Sequence, residues 1–267
     1  MGEILGREVP GVAAVNEREW AQRLKTEMDR LGFTYDAAAP ARLARYHTLL
    51  SQWNEHMNLT GDTDFDSAID RLYLDSLAPL VNEEMFPQGA SVIDVGTGAG
   101  FPGLPLAIAR PDLQVMLLDS LQKRLTFLAA VVEELGLENV KLHHARAEDA
   151  GRNPQLREQY DRALARAVAP LPVLCELLLP MVRVGGEMLC YKGPAASDEW
   201  QAGEKAAKLL GGGKLEHIPV LLPTQPDWAH CVVRCAKEQK TVRQYPRKAG
   251  TPGREPLGGF DKNKSKS

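Results

Sequence analysis

The stretch VIDVGTGAGFPGLPLAIARPDLQVMLLDS, residues 92–120, decides how the chain is read. An apolar run breaks into glycines at Gly96, Gly98, Gly100 and Gly103, resumes as a helical pattern, and ends on a second apolar run closed by Asp119. Glycine adopts backbone conformations that a side chain forbids, so the main chain can leave a strand, turn sharply and pass close to a ligand before a helix starts. A ligand held this way lies beyond the carboxyl ends of the strands.

Two cofactor classes use such a bend. Dinucleotide enzymes rest a pyrophosphate on the helix N-terminus behind G-x-G-x-x-G, and GAGFPG (98–103) satisfies that pattern literally. Three details favour the other class. Gly96 follows the strand directly, so a dinucleotide frame would begin two residues late. Asp94 places a carboxylate just before the bend, an awkward neighbour for a pyrophosphate and a good one for a cation. Phe101-Pro102 makes the helix entry bulky where a phosphate needs open N–H groups. The whole reads D-x-G-x-G-x-G, the pattern of the S-adenosylmethionine fold, whose cofactor carries sulfonium and ammonium groups. Asp94, Gly96, Thr97, Gly98 and Phe101 are therefore the expected cofactor residues of the turn.

Asp119 falls 23 residues after Gly96, at the end of the second strand, where a carboxylate accepts hydrogen bonds from both ribose hydroxyls. Ser120 is expected to cap the following helix and to join the cofactor set. After the third strand, ARAED (145–149) puts Ala147-Glu148 where an adenine ring meets the backbone.

Outward from this stretch the rhythm is consistent. From residue 90 strands alternate with helices: SVIDV, QVMLLD, VKLHHA, RALARAV, GEMLCYK, EHIPVLL and HCVVRCA are strand candidates, with helical patterns between most of them. Right-handed crossovers then build a Rossmann-like α/β fold, a seven-stranded, mostly parallel sheet covered on both faces. The last two strands, with no helix between them, predict a hairpin and one antiparallel edge strand. Residues 1–87 read as a helical region, with inward stripes Trp20, Leu24, Met28, Leu31 and Leu43, Tyr46, Leu50, Trp53, Met57. A third helix, capped by Asp62 or Asp64, carries Phe65, Ile69, Leu72 and Leu77. Residues 88–238 form the cofactor-binding domain, and 239–267 read as a basic arm.

Composition sets limits. In 267 residues no apolar stretch approaches the roughly 20 needed to cross a bilayer, and the N-terminus lacks a secretory leader, so a cytoplasmic monomer is expected. Cys175, Cys190, Cys231 and Cys235 form no metal-ligand spacing and read as buried hydrophobes, so no metal is expected. The net charge of −3 is uneven: Arg234–Ser267 holds ten Lys or Arg against three acids. A basic arm on an acidic body suits a polyanionic partner.

The loop after the fourth strand bears on the methyl acceptor. ALARAVAPL (163–171) has no Pro-Pro-aromatic motif of amino-methylating enzymes, no cysteine for pyrimidine carbon-5, and Arg166 where ribose methylation would ask for aspartate. What remains is an acceptor with a free lone pair, such as guanine N7, served by positioning and electrostatics without a general base. Arg166 and Lys192, at the ends of strands four and five, are the expected catalytic pair, in contact with substrate phosphate or a guanine edge; a salt-bridged rim is the alternative for each. His143 and His144 receive no role.

WNEHMNLTG, RLYLDSLAPL, VIDVGTGAGFPGLPLAI, LLDSLQKRLTFL, ARAED, ARAVAPL, YKGP and YPRKAGTPGREPL together resemble the bacterial 16S ribosomal RNA guanine-N7 methyltransferases, in collinear order from about residue 40 to 257. The resemblance implies a class I methyltransferase with an N-terminal helical region, using S-adenosylmethionine to modify one guanine of 16S RNA, free or in a small-subunit assembly intermediate. It implies cofactor contacts at Gly96, Phe101, Asp119, Ala147-Glu148 and Arg166, with Lys192 facing the base. Leu72 and Ala229 depart from the family's histidine and arginine, which leaves Arg234 or Arg243 to contact RNA. Tyr245, between Arg243 and Arg247-Lys248, either stacks on a base or anchors the arm. A small-molecule methyltransferase and a non-catalytic RNA-binding protein of the same fold are the competing readings.

Overall fold

Short runs rich in Val, Ile and Leu, each followed by a helical pattern, leave the chain one economical packing: parallel strands in the middle, helices on both faces. The computed structural model describes residues 12–62, 64–194 and 196–260. Its strands are β1 (Ser91–Val95), β2 (Gln114–Asp119), β3 (Val140–His144), β4 (Tyr160–Arg166), β5 (Val182–Lys192), β6 (Gly212–Pro219) and β7 (Cys231–Lys237). They form one sheet in the order β3-β2-β1-β4-β5-β7-β6. β1 to β5 pair in parallel, whereas β7 runs antiparallel to both β5 and β6. The antiparallel strand is therefore not at the edge, as the hairpin reading expected. β6 takes the edge and β7 turns back between it and β5, where Val232, Val233 and Cys235 are buried.

The register explains where a site forms. Val95 pairs with Leu118, Asp119 with His144, Arg166 with Tyr191, and Lys192 with Cys231 at the start of β7. The carboxyl ends of β1 to β5 and the beginning of β7 thus share one edge of the sheet, with Asp94, Asp119, Arg166 and Lys192 at or next to it, whereas Arg234 pairs with Leu189 in mid-sheet.

The helical region covers one face. Helices Val12–Leu31 and Ala39–Met57 end at left-handed Gly32 (φ 78°) and Asn58 (φ 48°). The next segment starts at Asp64, whose side chain accepts from Ser67 N at 3.1 Å, so Asp64 and not Asp62 is the cap. It then passes through a π-helical stretch, Ile69–Leu74, into Asp75–Leu77. Leu24, Met28, Leu43, Tyr46, Leu50, Ile69 and Leu77 are buried as the stripes predict. Tyr46 stacks on Phe101 at 5.3 Å between centroids, and its hydroxyl donates to Ala99 O, so the helical region grips the glycine turn itself.

Residues 239–260, expected as an arm, lie folded along the sheet domain. Arg247 pairs through Nη2 at 2.6 Å with the fully buried carboxylate of Glu176. Arg157 donates to the carbonyls of Thr241 and Tyr245, Arg152 to that of Pro246, and Glu148 Oε1 accepts from Gly250 N at 2.7 Å. Tyr245 packs half-buried on the domain core, which makes it an anchor. Residues 1–11 and 261–267, most of the expected extensions, lie outside the described residues.

Candidate active site

Beyond the ends of β1, β2 and β4 opens a cavity of about 280 Å³. Gly96, Ser120, Ala147 and Glu148 line it, together with Val95, Leu118, Val168 and Ala169; Gly250, Pro252 and Gly253 of the folded C-terminal strap close it. Gly96 (φ 71°) needs its missing side chain: a Cβ there would stand 3.0 Å from Val168. Gly103 needs it for packing, since a Cβ would come within 2.8 Å of Asp94.

The turn is organised from beneath. Asp94 is fully buried; its Oδ2 accepts from Thr97 Oγ1 at 2.7 Å and from Gly103 N at 2.9 Å. Burial raises its pKa from 3.8 to about 6, against the lowering effect of those two donors and of Arg166. Its Oδ1 has no hydrogen-bond partner among the described residues. Asp94 therefore sits under the bend, with one acceptor left open, and Thr97 faces it.

Asp119, 2% exposed, is also engaged: Oδ1 accepts from Leu121 N at 2.8 Å, Oδ2 from Gly98 N at 3.0 Å and from Arg124 Nη1 at 3.2 Å. Leu121, without a side-chain cap bond, starts the next helix, Gln122–Leu135. The capping expected of Ser120 is thus absent: the helix has no side-chain cap, and Asp119 instead holds the Leu121 N–H in a turn just ahead of it.

Arg166 crosses from β4 to the helical region. Its Nη1 lies 3.3 Å from Asp75 Oδ2 and 3.2 Å from Ser76 Oγ, and its guanidinium sits 5.0 Å from the Phe101 ring centroid. Phe101 is itself buried between Tyr46 and Tyr73. Lys192 forms a 2.6 Å ion pair with Glu199 and donates to Ala169 O. Both cations are held by the protein. Arg234 is likewise paired, with Glu187 and Glu216. The four cysteines are free thiols and buried. Burial raises the pKa of each, so none serves as a nucleophile.

A glycine-bounded cavity at the strand ends, two acids beneath and beside the turn, and a helical region clamped on Phe101 define the site. The description GidB, rRNA small subunit methyltransferase G, matches residues 40–225. The chain belongs to this family. Relatives bearing the name ribosomal RNA small subunit methyltransferase G agree over nearly their full length. That of Alkaliphilus metalliredigens is 44% identical over 88% of this chain and 97% of its own. Those of Lactobacillus delbrueckii subsp. bulgaricus and Geobacillus thermodenitrificans are 43% and 41% identical, over 86% and 89% of this chain and 96% and 99% of theirs.

As a member of the family the chain is an S-adenosylmethionine-dependent methyltransferase. The residues present fit that cofactor: an apolar cavity bounded by a carboxylate-supported turn, with an unpartnered buried oxygen on Asp94, suits a cationic, partly apolar ligand. Of the residues singled out in the sequence, the structure brings Gly96, Ser120, Ala147 and Glu148 onto the cavity wall. It sets Asp94, Thr97, Gly98 and Asp119 in the turn's supporting bonds, and Phe101, Arg166 and Lys192 on the flank toward the helical region and β5. The sequence reading missed Val168, Ala169, Gly250, Pro252 and Gly253. The turn chemistry of KAGTPG (248–253) was the available signal for the last three. Among the described residues no helix is long and apolar enough to cross a membrane, and no acid, His or Cys cluster could hold a metal.

Proposed function

We propose that the chain transfers the methyl group of S-adenosylmethionine to N7 of a guanine in 16S ribosomal RNA, free or within an assembling small subunit, and that it works as a cytoplasmic monomer. The cofactor supplies an electrophilic methyl on sulfur. The chain's own residues bind and orient: the Gly96 turn and the Val168-Ala169 loop shape the cavity, Asp94 and Asp119 bias it toward a cation, and Ala147-Glu148 with the strap bound the far end.

The observation that carries this reading is the flank of the cavity. Val168 and Ala169 line it, and beside them, at the ends of β4 and β5, Arg166 and Lys192 are cations already paired with carboxylates. Glu148, on the cavity wall, is bonded to Gly250 N at 2.7 Å, so among the described residues this flank offers no unbonded carboxylate as a base. It suits a nucleophile that needs none and a substrate whose phosphates approach a cationic rim. The target base must be unpaired or drawn from its stack, since N7 within a stacked helix cannot reach an enclosed cavity. Lys240, Arg243, Lys248 and Arg254, exposed on the strap, provide phosphate contacts.

Radiolabelled methyl transfer to 16S RNA and to small subunits from cells lacking the enzyme, followed by nucleoside mapping, tests the reading. N7-methylguanosine at one position supports it; label in proteins or small metabolites with silent RNA ends it.

A further inference from the structure

The shared edge of the sheet carries a second polar cluster outside the cavity wall. Its centre is Asp75, 2% exposed, in the turn after the π-helical stretch. While Oδ2 accepts from Arg166, Oδ1 accepts from Trp228 Nε1 at 3.2 Å and lies 3.1 Å from His230 Nδ1. A carboxylate only accepts, so the contact places a proton on Nδ1, and whenever the ring carries that proton alone Nε2 keeps its lone pair. The Trp228 ring braces the imidazole, centroid to centroid 4.2 Å.

His230 keeps 35% of its side chain exposed, Nε2 has no hydrogen-bond partner among the described residues, and a Cβ on Gly193 would lie 3.8 Å from it. The nitrogen therefore faces the end of β5, beside Lys192. Because Cys231 pairs with Lys192, His230 stands just past the shared edge, two strands from β4, or about 10 Å at ordinary strand spacing.

That placement suits a reader of the target base. A guanine lying across the ends of β4 and β5 with N7 toward the donor cavity turns its opposite edge, which carries N1–H and the 2-amino group, toward β7. We propose that His230 is a base-reading residue whose Nε2 accepts an N–H from that edge, with Asp75 and Trp228 holding the ring; this rests on the guanine-N7 reading above. Adenine sets a lone pair at N1 against the lone pair of Nε2 and leaves a desolvated acceptor unmatched, so the site selects guanine. Arg166, bonded to the same carboxylate and lying over Phe101, fixes the reader relative to the donor's turn.

The test compares His230→Leu with His230→Gln, whose amide oxygen still accepts. Methyl transfer to small subunits lacking the modification is measured as kcat/KM, with S-adenosylmethionine affinity followed by calorimetry. His230→Leu is expected to lose at least tenfold in kcat/KM, His230→Gln to stay within threefold of the unchanged chain, and both to bind the donor within twofold of it. Equal kcat/KM for the two variants, at any level, or weakened donor binding in either, overturns the proposal. Failure of the unchanged chain to produce N7-methylguanosine in those subunits instead removes the function on which it rests.

Discussion

Asp94 is a buried acid kept for its position more than for stability. Its folded pKa of about 6 exceeds the reference 3.8, so between about pH 4 and 6 the native state holds more proton than the unfolded chain. Stability from this group falls as pH rises through that window and stays lost above it, by on the order of 3 kcal/mol. Asp94→Asn is expected to flatten the decline in urea-unfolding free energy between about pH 4 and 6 and to stabilise the protein at neutral pH. The same variant removes the negative charge beneath the turn, so its donor affinity, read by calorimetry, should fall. Asp119 contrasts with it, since three donors converge on its carboxylate. Asp119→Ala leaves them unmatched and should lower stability by about 1–3 kcal/mol. Calorimetry should show donor affinity at least tenfold weaker, with RNA affinity in the donor-free protein within twofold of unchanged.

Among the elements, β1 and β2 have the boundaries that the sequence pattern gives them, because a short apolar run closed by an acid or a glycine bend leaves a buried parallel strand little freedom. The helical stripes were legible for the same reason: Leu24, Met28, Leu43 and Leu50 recur at helical spacing, and each is buried. The π-helical stretch was not legible. Its identifying bond, Asp75 N to Asp70 O, follows from which side chains each turn must present to β4 and β7, and local propensity does not encode that. The place of β7 was hidden too, since hairpin periodicity does not say which strand takes the edge. The strap was the largest miss, as its few apolar residues resemble a solvated tail. What docks it is buried charge supplied from far along the chain, Glu176 and Glu148. Arg247→Ala leaves the buried Glu176 carboxylate without its countercharge, held only by the main-chain N–H of residue 247, a loss of up to about 3–5 kcal/mol that should release the strap. Limited proteolysis should then cut within residues 239–257, and donor affinity should drop because Gly250, Pro252 and Gly253 leave the cavity wall.

Across the whole molecule, charge is divided between holding the fold and facing outward. Arg157, Arg247 and Lys237 spend theirs on buried carbonyls and carboxylates, whereas Lys240, Arg243 and Lys248 stay exposed on the strap that also walls the cavity. On the proposed reading one segment joins the surface that meets RNA phosphates to the cavity that holds the donor. A ribosomal RNA fragment should bind with log K falling linearly against log salt, as counterions leave the phosphates. Changing Lys240, Arg243 and Lys248 together to Gln should reduce that slope by about 0.7–0.9 for each phosphate no longer neutralised, and weaken binding at low salt. Arg247 lies in the same basic cluster but is committed to Glu176, so it neutralises no phosphate. A triple variant with an unchanged slope would place the RNA elsewhere on the molecule, whereas a reduced slope with donor affinity intact would assign the strap's outer face to phosphate and its inner face to the cofactor.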